Sequence, residues 1–399
     1  MRSLITESWQ LPKNNKNMNE TYITRNNDIA QVRQLLDVFP VTAILGPRQA
    51  GKTTLAQTFQ PDHIFDLENP RDAKALENPQ LTLEHLRGLI MIDEIQRQPE
   101  LFPLIRYLVD HYPNQRYLLL GSASSNIRQQ SGESLAGRIG YHYLSGLSLV
   151  DVGESALQNL WLKGGFPRSL LAGNDAQSLL WRKNFISTFL EKDIAGLRLQ
   201  IPAPLMYRFW LMISHYHAQT LNYSEIGRSF NVSDKTVKHY LSLLEDTFMI
   251  RLLMPWHTNL GKRLVKSPKL YLRDSGLFHA LQDIPSFNSL ITHPKIGASW
   301  EGFALEQTIS TLAKRDSEVF FYATHAGVEL DLFWQSQGNN FGMEFKYADA
   351  PHLTKSMRQV LADLALQHLW VVYPGDRQFP IHEQVTVLPL AQVGSLINS

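Results

Sequence analysis

Eight consecutive residues near the start of the chain match the pattern G-x-x-x-x-G-K-[ST]. They are Gly46, Pro47, Arg48, Gln49, Ala50, Gly51, Lys52 and Thr53, and Thr54 follows them. In such a loop the backbone N–H groups surround phosphate oxygens, and the positive end of the next helix adds to the attraction. Lys52 would reach the β- and γ-phosphates, and the Thr53 hydroxyl would bind Mg²⁺. The pattern predicts a nucleoside triphosphate site.

The elements that must position this loop lie on both sides of it. The apolar run 41–45 precedes the loop, and the helix-like segment 54–59 follows it. Short apolar runs alternate with helical patterns through this part of the chain, which favours an α/β fold with a parallel sheet. The candidate strands are 41–45, 63–67, 89–92, 117–120 and 141–144.

Two carboxylates directly follow the third candidate strand. Asp93 and Glu94 come after the apolar run 89–92. They should therefore lie at the carboxyl edge of the sheet, where open α/β sheets bind ligands. Asp93 is expected in the Mg²⁺ shell, and Glu94 is expected to polarise the attacking water. Together with the phosphate loop, the pair predicts hydrolysis and not binding alone.

Two further polar residues lie at the ends of candidate strands. Ser122 follows the fourth strand, where it could orient the water or cap the next helix, and both interpretations remain open. Arg138 precedes the fifth strand. It could reach a neighbouring subunit's nucleotide and stabilise charge on the phosphoryl group, or it could simply be a solvated helix end.

Four short motifs occur in a fixed order in this region. They are Gly-Pro-Arg-Gln-x-Gly-Lys-Thr, Ile-Asp-Glu-Ile-Gln, Leu-Gly-Ser-Ala-Ser and Leu-Ala-Gly-Arg. Their order and spacing resemble the AAA+-type ATPase module of a widespread prokaryotic family, which joins it to a C-terminal domain of unknown function. The resemblance implies Walker A at 46–53, Walker B at Asp93 and Glu94, a sensor at Ser122 and an arginine finger at Arg138. It also implies Mg-ATP as cofactor and a ring or dimer, because a finger acting in trans needs a neighbour.

The turn Lys163-Gly164-Gly165-Phe166-Pro167-Arg168 follows this predicted core. It resembles the Gly-x-Pro turn that related ATPases place near the adenine. Gly165 and Pro167 would then contact ATP, and Arg168 would act as a second sensor on the γ-phosphate. A plain turn needs no such function. The amphipathic helices predicted after it indicate a helical lid.

A helix-turn-helix is predicted at 223–245. Val237, Tyr240, Leu241 and Leu244 form an apolar stripe on its second helix. Lys235, Lys238 and His239 fall on the opposite face, which suits an inserted recognition helix.

Two candidate strands follow this segment, and the loop between them carries Lys262, Arg263 and Lys266. The strands and loop could form the wing of a winged helix. The two basic clusters favour DNA as the partner, either duplex or branched. Winged helices also bind proteins, and in that case the lysines would simply be solvated.

The C-terminal part of the chain, from residue 297, has the predicted order helix, three strands, helix, strand. This order is similar to the core of PD-(D/E)XK nucleases. The residues that would carry the chemistry are Glu301 or Glu306 on the helix, Asp331 on the second strand, and Glu344 and Lys346 on the third. Asp331 and Glu344 could hold Mg²⁺, and the ammonium could assist the attacking water. Such folds also occur with degraded sites, and Glu/Lys pairs on strands can be plain ion pairs, so cleavage stays open.

The composition sets limits on these readings. The net charge of +1 gives no global argument for a nucleic-acid partner, so the basic clusters carry that argument alone. There are no cysteines, which excludes disulfides and thiolate metal sites and fits the cytoplasm. We expect no membrane helix and no signal peptide.

The sequence thus predicts an α/β chain organised in series. The predicted parts are a loosely ordered segment 1–20, an AAA+ core 21–155, a helical lid 156–218, a winged helix 219–290 and a nuclease-like domain 291–399. The predicted function is ATP hydrolysis coupled to DNA binding or remodelling, with a possible nuclease tail. The alternative is a nucleotide-switched signalling protein whose winged helix and inactive tail bind protein.

Overall fold

The structure is a computed structural model that describes residues 23–122, 124–194, 201–257 and 264–398. The predicted lead-in 1–20 lies outside these residues, as do Lys262 and Arg263. We refer to 23–152 as the N-terminal module, to 154–291 as the middle module and to 296–398 as the tail.

The N-terminal module is built on a parallel sheet with the order β2-β3-β4-β1-β5. Its elements are α1 Asn26–Val38, β1 Val41–Leu45, α2 Lys52–Gln57, β2 His63–Asp66, α3 Pro70–Ala75, α4 Pro79–Leu83, β3 Gly88–Asp93, α5 Leu101–His111, β4 Gln115–Gly121, α6 Ser124–Ser134, β5 Ile139–Tyr143 and α7 Leu149–Val152. The predicted parallel α/β sheet is confirmed.

This sheet is covered by helices on both faces. Ala43 and Leu45 pack in one cluster with residues of α5, whereas Ile44 packs in another with residues of α1 and α2. Alternate side chains of a strand point to opposite faces, so a strand with helices on both faces is buried throughout, as β1 is. Because all five strands are parallel, their carboxyl ends lie at one edge of the sheet, where the candidate site lies.

The middle module combines helices with a small antiparallel sheet of order β6-β8-β7. Its elements are α8 Leu157–Lys163, α9 Pro167–Leu170, α10 Asp175–Thr188, α11 Ala203–Ser214, β6 Gln219–Thr220, α12 Tyr223–Phe230, α13 Asp234–Asp246, β7 Ile250–Leu253, β8 Lys269–Leu272, α14 Ser275–Leu281 and α15 Phe287–Ile291. The Ser233 hydroxyl caps α13 by accepting the Thr236 N–H. The stripe predicted on α13 is buried, together with Leu243.

The tail contains a mixed sheet of order β13-β14-β12-β11-β10-β9. Its elements are α16 Ile296–Thr311, β9 Val319–Ala323, β10 Glu329–Ser336, β11 Asn339–Phe345, α17 Lys355–Asp363, β12 Leu366–Tyr373, β13 Phe379–His382 and β14 Val385–Pro389. The order α16-β9-β10-β11-α17-β12 agrees with the elements predicted from the sequence.

The middle module and the tail share a hydrophobic core. Trp161 of α8, Tyr271 of β8 and Trp300 of α16 belong to one buried cluster. The Trp161 indole donates to the Ser299 hydroxyl at 2.9 Å. Because the core is continuous, packing places β8 against the tail. None of the described helices is long and apolar enough to span a bilayer.

Candidate functional site

The phosphate-loop pattern lies between β1 and α2, at the carboxyl edge of the parallel sheet. Gly51 precedes α2 with φ of 96°, a left-handed conformation that favours glycine. At Gly46 an added Cβ would lie 2.1 Å from the Leu144 carbonyl oxygen, so only glycine allows the loop to pack there. The Lys52 ammonium donates to the carbonyls of Gly46 and Pro47, each at 2.9 Å. The loop therefore has the local geometry that its sequence predicts.

Thr53 and Asp93 meet beside this loop. The Thr53 hydroxyl donates to Asp93 Oδ2 at 2.7 Å, and Asp93 Oδ1 accepts the Glu94 N–H at 2.9 Å. Burial raises the pKa of Asp93, and the hydrogen bond from Thr53 acts against that rise. A hydroxyl and a carboxylate are the oxygen donors that Mg²⁺ prefers, so these residues fit a Mg-nucleotide.

Glu94 and Ser122 are also brought together at this edge. The Ser122 hydroxyl donates to Glu94 Oε2 at 3.2 Å and accepts the Gln96 amide at 3.0 Å. The Gln96 amide contacts the same Glu94 oxygen. Glu94 itself has a left-handed φ of 56°, which is uncommon for a non-glycine residue and concentrates at functional sites. Its carboxylate is thus held by two neutral polar groups, of which Gln96 was not among the predicted site residues.

Arg25 is a residue of this region that the sequence did not point to. Its guanidinium is buried and donates to the Ala50 carbonyl within the phosphate loop and to the Ser145 carbonyl after β5, both at 2.9 Å. It therefore ties the loop to the neighbouring strand. No motif marks such a residue, because backbone carbonyls accept hydrogen bonds whatever their side chain.

A second arginine, Arg48, connects the phosphate loop to the segment after β2. Its guanidinium lies 2.5 Å from Glu68 Oε1, which Arg97 also contacts at 2.9 Å. Gln49, the next residue, has a left-handed φ of 61°.

The predicted arginine finger, Arg138, lies at the opposite edge of the sheet from its own phosphate loop. It precedes β5, and its carbonyl accepts the Val41 N–H at 3.1 Å at the start of β1. Its guanidinium forms two bonds with Asp110, of 2.6 and 2.9 Å, and this pair lowers the pKa of Asp110. Arg138 cannot serve its own chain's loop from this edge.

The predicted lid turn packs against two other parts of the chain. Gly165 accepts the Leu147 N–H at 2.6 Å and donates its own N–H to Asp274 Oδ2 at 2.8 Å. Pro167 begins α9, and Arg168 is exposed. Leu147 follows β5 closely, so the turn lies near the carboxyl edge of the sheet.

The predicted basic residues that the structure describes are on the surface of the middle module. Lys235, Lys238 and His239 are exposed on α13, and Lys266 is exposed before β8. The Lys238 ammonium lies 4.9 Å from the centre of the Tyr223 ring.

The four residues predicted for a nuclease site come together in the tail. Lys346 Nζ lies 2.7 Å from Glu344 Oε2 and 3.8 Å from Asp331 Oδ2. Glu301 and Asp331 are connected through a common partner on β8. Glu306, the alternative to Glu301, is instead paired with Arg251 and Arg273, so the structure favours Glu301 as the helix carboxylate of this cluster.

The shared partner is Lys269 of β8, which the sequence did not identify. Its ammonium lies 3.0 Å from Glu301 Oε1 and 3.1 Å from Asp331 Oδ1, and it also contacts Glu329. The Tyr271 hydroxyl donates to Glu301 Oε1 at 2.7 Å. We call Glu301, Glu329, Asp331, Glu344, Lys346, Lys269 and Tyr271 the tail cluster.

The charges of the tail cluster influence one another. Burial raises the pKa of Glu301 to about 7 and that of Glu344 to about 8. Burial would also raise the pKa of Asp331, but the Lys269 and Lys346 ammonium groups outweigh it and lower that pKa. Among the residues that the structure describes, no group of three or more His, Asp or Glu side chains is arranged to hold a metal ion. The tail cluster as it stands therefore does not fit the Mg²⁺ expected there.

Comparison with known families divides the chain into three parts. An AAA domain matches residues 38–152. A domain of unknown function, DUF8612, matches residues 154–288, and a second one, DUF4143, matches residues 296–393.

Two structures show partial likeness. The Walker-type ATPase PABY2304 of Pyrococcus abyssi is 16% identical with a TM-score of 0.48, covering 68% of this chain and 99% of that one. A STAND-class signal transduction ATPase with a tetratricopeptide repeat sensor, PH0952 of Pyrococcus horikoshii, is 13% identical with a TM-score of 0.25, covering 73% and 45%.

Close relatives occur in mycobacteria. The uncharacterized protein Rv2008c of Mycobacterium tuberculosis is 45% identical over 375 residues, which is 93% of this chain and 85% of that protein. The uncharacterized protein Mb2031c of Mycobacterium bovis matches to the same extent. The chain contains an AAA domain, and these relatives match it over 93% of its length. It therefore belongs to this family of AAA-type ATPases.

Proposed function

We propose that the chain hydrolyses Mg-ATP at the carboxyl edge of its parallel sheet. The observation that carries this proposal is the meeting of the Thr53–Asp93 pair and the Glu94–Ser122 pair beside one phosphate loop. The phosphate-loop residues with Lys52 would hold the triphosphate, and Thr53 and Asp93 would hold Mg²⁺. Glu94 would accept a proton from the attacking water, with Ser122 and Gln96 orienting its carboxylate.

We further propose that hydrolysis takes place between subunits of an oligomer in the cytoplasm. Arg138 lies at the edge away from its own loop, which suits donation to a neighbour's nucleotide. Its release from Asp110 would cost little, because solvent-exposed ion pairs contribute little to stability. Near the nucleotide of the same chain, Gly165 and Pro167 would line the adenine side and Arg168 would approach the γ-phosphate.

The middle module is proposed to engage DNA as a winged helix. The order β6-α12-α13-β7-β8 with the sheet order β6-β8-β7 supports this. The exposed Lys235, Lys238 and His239 of α13 would contact phosphates and groove, and Lys266 would extend the contact, together with Lys262 and Arg263. Of the tail, we propose a nuclease-like fold whose Glu301, Asp331, Glu344 and Lys346 would form the site.

One observation favours the second candidate, a nucleotide-switched signalling protein with an inactive tail. Lys269 takes up carboxylate oxygens of Glu301 and Asp331 that a nuclease would need for its metal. In that case α13 would bind a protein and not DNA.

ATP turnover measured with no DNA, single strand, duplex and branched DNA tests both candidates. Wild type would be compared with Lys52→Ala, which should be inactive throughout. We expect stimulation by one DNA form, and its loss in Lys235→Ala/Lys238→Ala but not in the matched surface pair Lys74→Ala/Lys355→Ala. Robust turnover indifferent to every DNA would favour the signalling candidate.

A further inference from the structure

Lys269 enters the tail cluster from a different part of the chain than the carboxylates that it contacts. It belongs to β8 of the middle module, whereas Glu301, Glu329 and Asp331 belong to α16 and β10 of the tail. The sequence separation from Asp331 is 62 residues. Lys269 is only 3% exposed. The contact is therefore an interaction between modules and not a cross-strand ion pair within one sheet.

The ammonium group uses the oxygens that a metal would need. Asp331 Oδ1 and Glu301 Oε1 both accept from Lys269, at 3.1 and 3.0 Å. The other Asp331 oxygen accepts the Phe345 N–H at 3.0 Å, and the Glu344 carboxylate is paired with Lys346. Both oxygens of the central carboxylate thus already accept hydrogen bonds, and the Lys269 ammonium lies between Glu301 and Asp331, where a divalent cation would have to bridge them.

The balance of charge points the same way. A buried ammonium is costly unless carboxylates surround it, and buried carboxylates are costly without a cation. Lys269 and the acids therefore require each other as long as β8 is docked. If β8 withdrew, Lys346 would be the one cation left beside these carboxylates within the part of the chain that the structure describes. A divalent cation, with its preference for oxygen ligands, would be the replacement that their charge favours.

We propose that Lys269 is a built-in inhibitor of the tail: it occupies the cation position of the tail cluster and excludes divalent metal ions while β8 is docked. The proposal rests on the proposed function in one respect: the nuclease-like assignment says which carboxylates would bind the metal. It does not require that the tail cleave DNA.

The test measures Mn²⁺ binding to the full chain without nucleotide. The electron paramagnetic resonance signal of free Mn²⁺ reports how much of the ion remains unbound. Wild type is compared with Lys269→Met, which keeps the aliphatic stem, with Lys269→Arg, which keeps the charge, and with Lys269→Met/Asp331→Asn. We expect Lys269→Met to gain one Mn²⁺ site at least tenfold tighter than any in wild type. Lys269→Arg should resemble wild type, and the double variant should lose the new site.

Thermal melting gives a second readout for the case that Lys269→Met folds poorly. Its melting temperature, or its recovery on refolding, should rise with Mn²⁺ but not with NaCl at equal ionic strength, and Asp331→Asn should remove that rise. Lys269→Gln serves as a second variant. The proposal is overturned if neither variant gains an Asp331-dependent response to Mn²⁺, or if wild type already binds Mn²⁺ through Asp331 as tightly.

These outcomes are distinct from the fate of the nuclease assignment. If Lys269→Met binds Mn²⁺ through Asp331 and still leaves every DNA substrate intact, the inhibitory role of Lys269 is supported and the nuclease assignment is contradicted. If wild type binds Mn²⁺ at Asp331 and cleaves DNA, the inhibitory role of Lys269 is contradicted and the nuclease assignment is supported.

Discussion

At the scale of single residues, the proposed chemistry depends on side chains whose hydrogen bonds set their roles. Glu94 is the clearest case, since its carboxylate accepts from Ser122 and Gln96 and carries no ion pair with a described cation. A carboxylate held in this way remains able to take a proton.

Glu94→Gln is expected to bind ATP normally and to lower turnover by about 10²–10⁴, the usual contribution of a general base. The physical reason is that the amide keeps the size of the side chain but cannot accept the proton. Single-turnover hydrolysis with a parallel nucleotide-binding titration measures both quantities. Glu100→Gln, at an exposed glutamate nearby, is the matched control. Turnover within threefold of wild type would exclude Glu94 as the base.

Arg25 offers a second test at this scale. Arg25→Met should lower the free energy of unfolding by about 1.5–3 kcal/mol, the typical contribution of a hydrogen bond to a charged group. It should also weaken ATP binding, because the Ala50 carbonyl loses the donor that holds the phosphate loop. Urea unfolding and nucleotide titration check the two effects, with Arg33→Met, on the exposed side of α1, as control. Unchanged ATP affinity in a destabilised variant would reduce Arg25 to a stabilising role.

At the scale of elements, helix α14 connects α8 of the middle module to α16 of the tail. His279 on this helix contacts the Leu162 carbonyl at 2.9 Å and the Ser299 hydroxyl at 2.7 Å. Burial lowers the pKa of His279 to about 3, and burial does the same for His217 beside it. Both imidazoles are therefore neutral in the folded chain.

The contribution of these two histidines to the free energy of unfolding should fall as the pH drops below about 6.5, the ordinary histidine pKa. The unfolded chain binds these protons and the folded chain does not until the pH nears 3, so protonation favours unfolding. Each buried histidine contributes up to about 1.4 kcal/mol per pH unit in this window. Melting temperatures between pH 7.5 and 5 measure the slope, which His279→Gln should reduce. Glu301 and Glu344 take up protons on folding in the same window and act in the opposite direction, so the test is the difference between wild type and His279→Gln. A difference that does not change with pH would contradict the assignment.

Helix α13 carries the prediction about DNA. If Lys235 and Lys238 contact phosphates, the double alanine variant should weaken binding and reduce the slope of log K against log salt by about 0.9 per lost contact. Fluorescence anisotropy over a salt series measures this, with Lys74→Ala/Lys355→Ala as the charge-matched control. An unchanged slope would place any DNA contact elsewhere.

At the scale of the whole molecule, the position of Arg138 predicts behaviour that only an assembly can show. Arg138→Ala and Glu94→Gln should each have low turnover. Mixing them should restore part of it, because a Glu94→Gln subunit can donate its Arg138 to the intact site of an Arg138→Ala neighbour. The measurement is turnover across mixing ratios, with each variant diluted into buffer as control. A mixture no more active than the sum of its parts would argue against a shared site.

The sequence predicted what is local and left open what depends on docking. The phosphate loop and the Asp93–Glu94 pair follow from strand, turn and spacing within one module. The choice between Glu301 and Glu306 could not be made, because residues five apart on a helix face different directions and only packing shows which one meets the sheet. Lys269 was visible as part of a strand, but its carboxylate partners belong to another module, and no periodicity predicts how two modules meet.

One short stretch of chain touches both proposed sites, since Lys269 and Tyr271 reach the tail cluster and Asp274 holds the Gly165 turn. This imposes a constraint on length. Strand side chains alternate, so inserting or deleting one residue between Tyr271 and Asp274 would put one of these contacts out of register with the other. Relatives are therefore expected to keep the distance from Lys269 to Asp274 fixed.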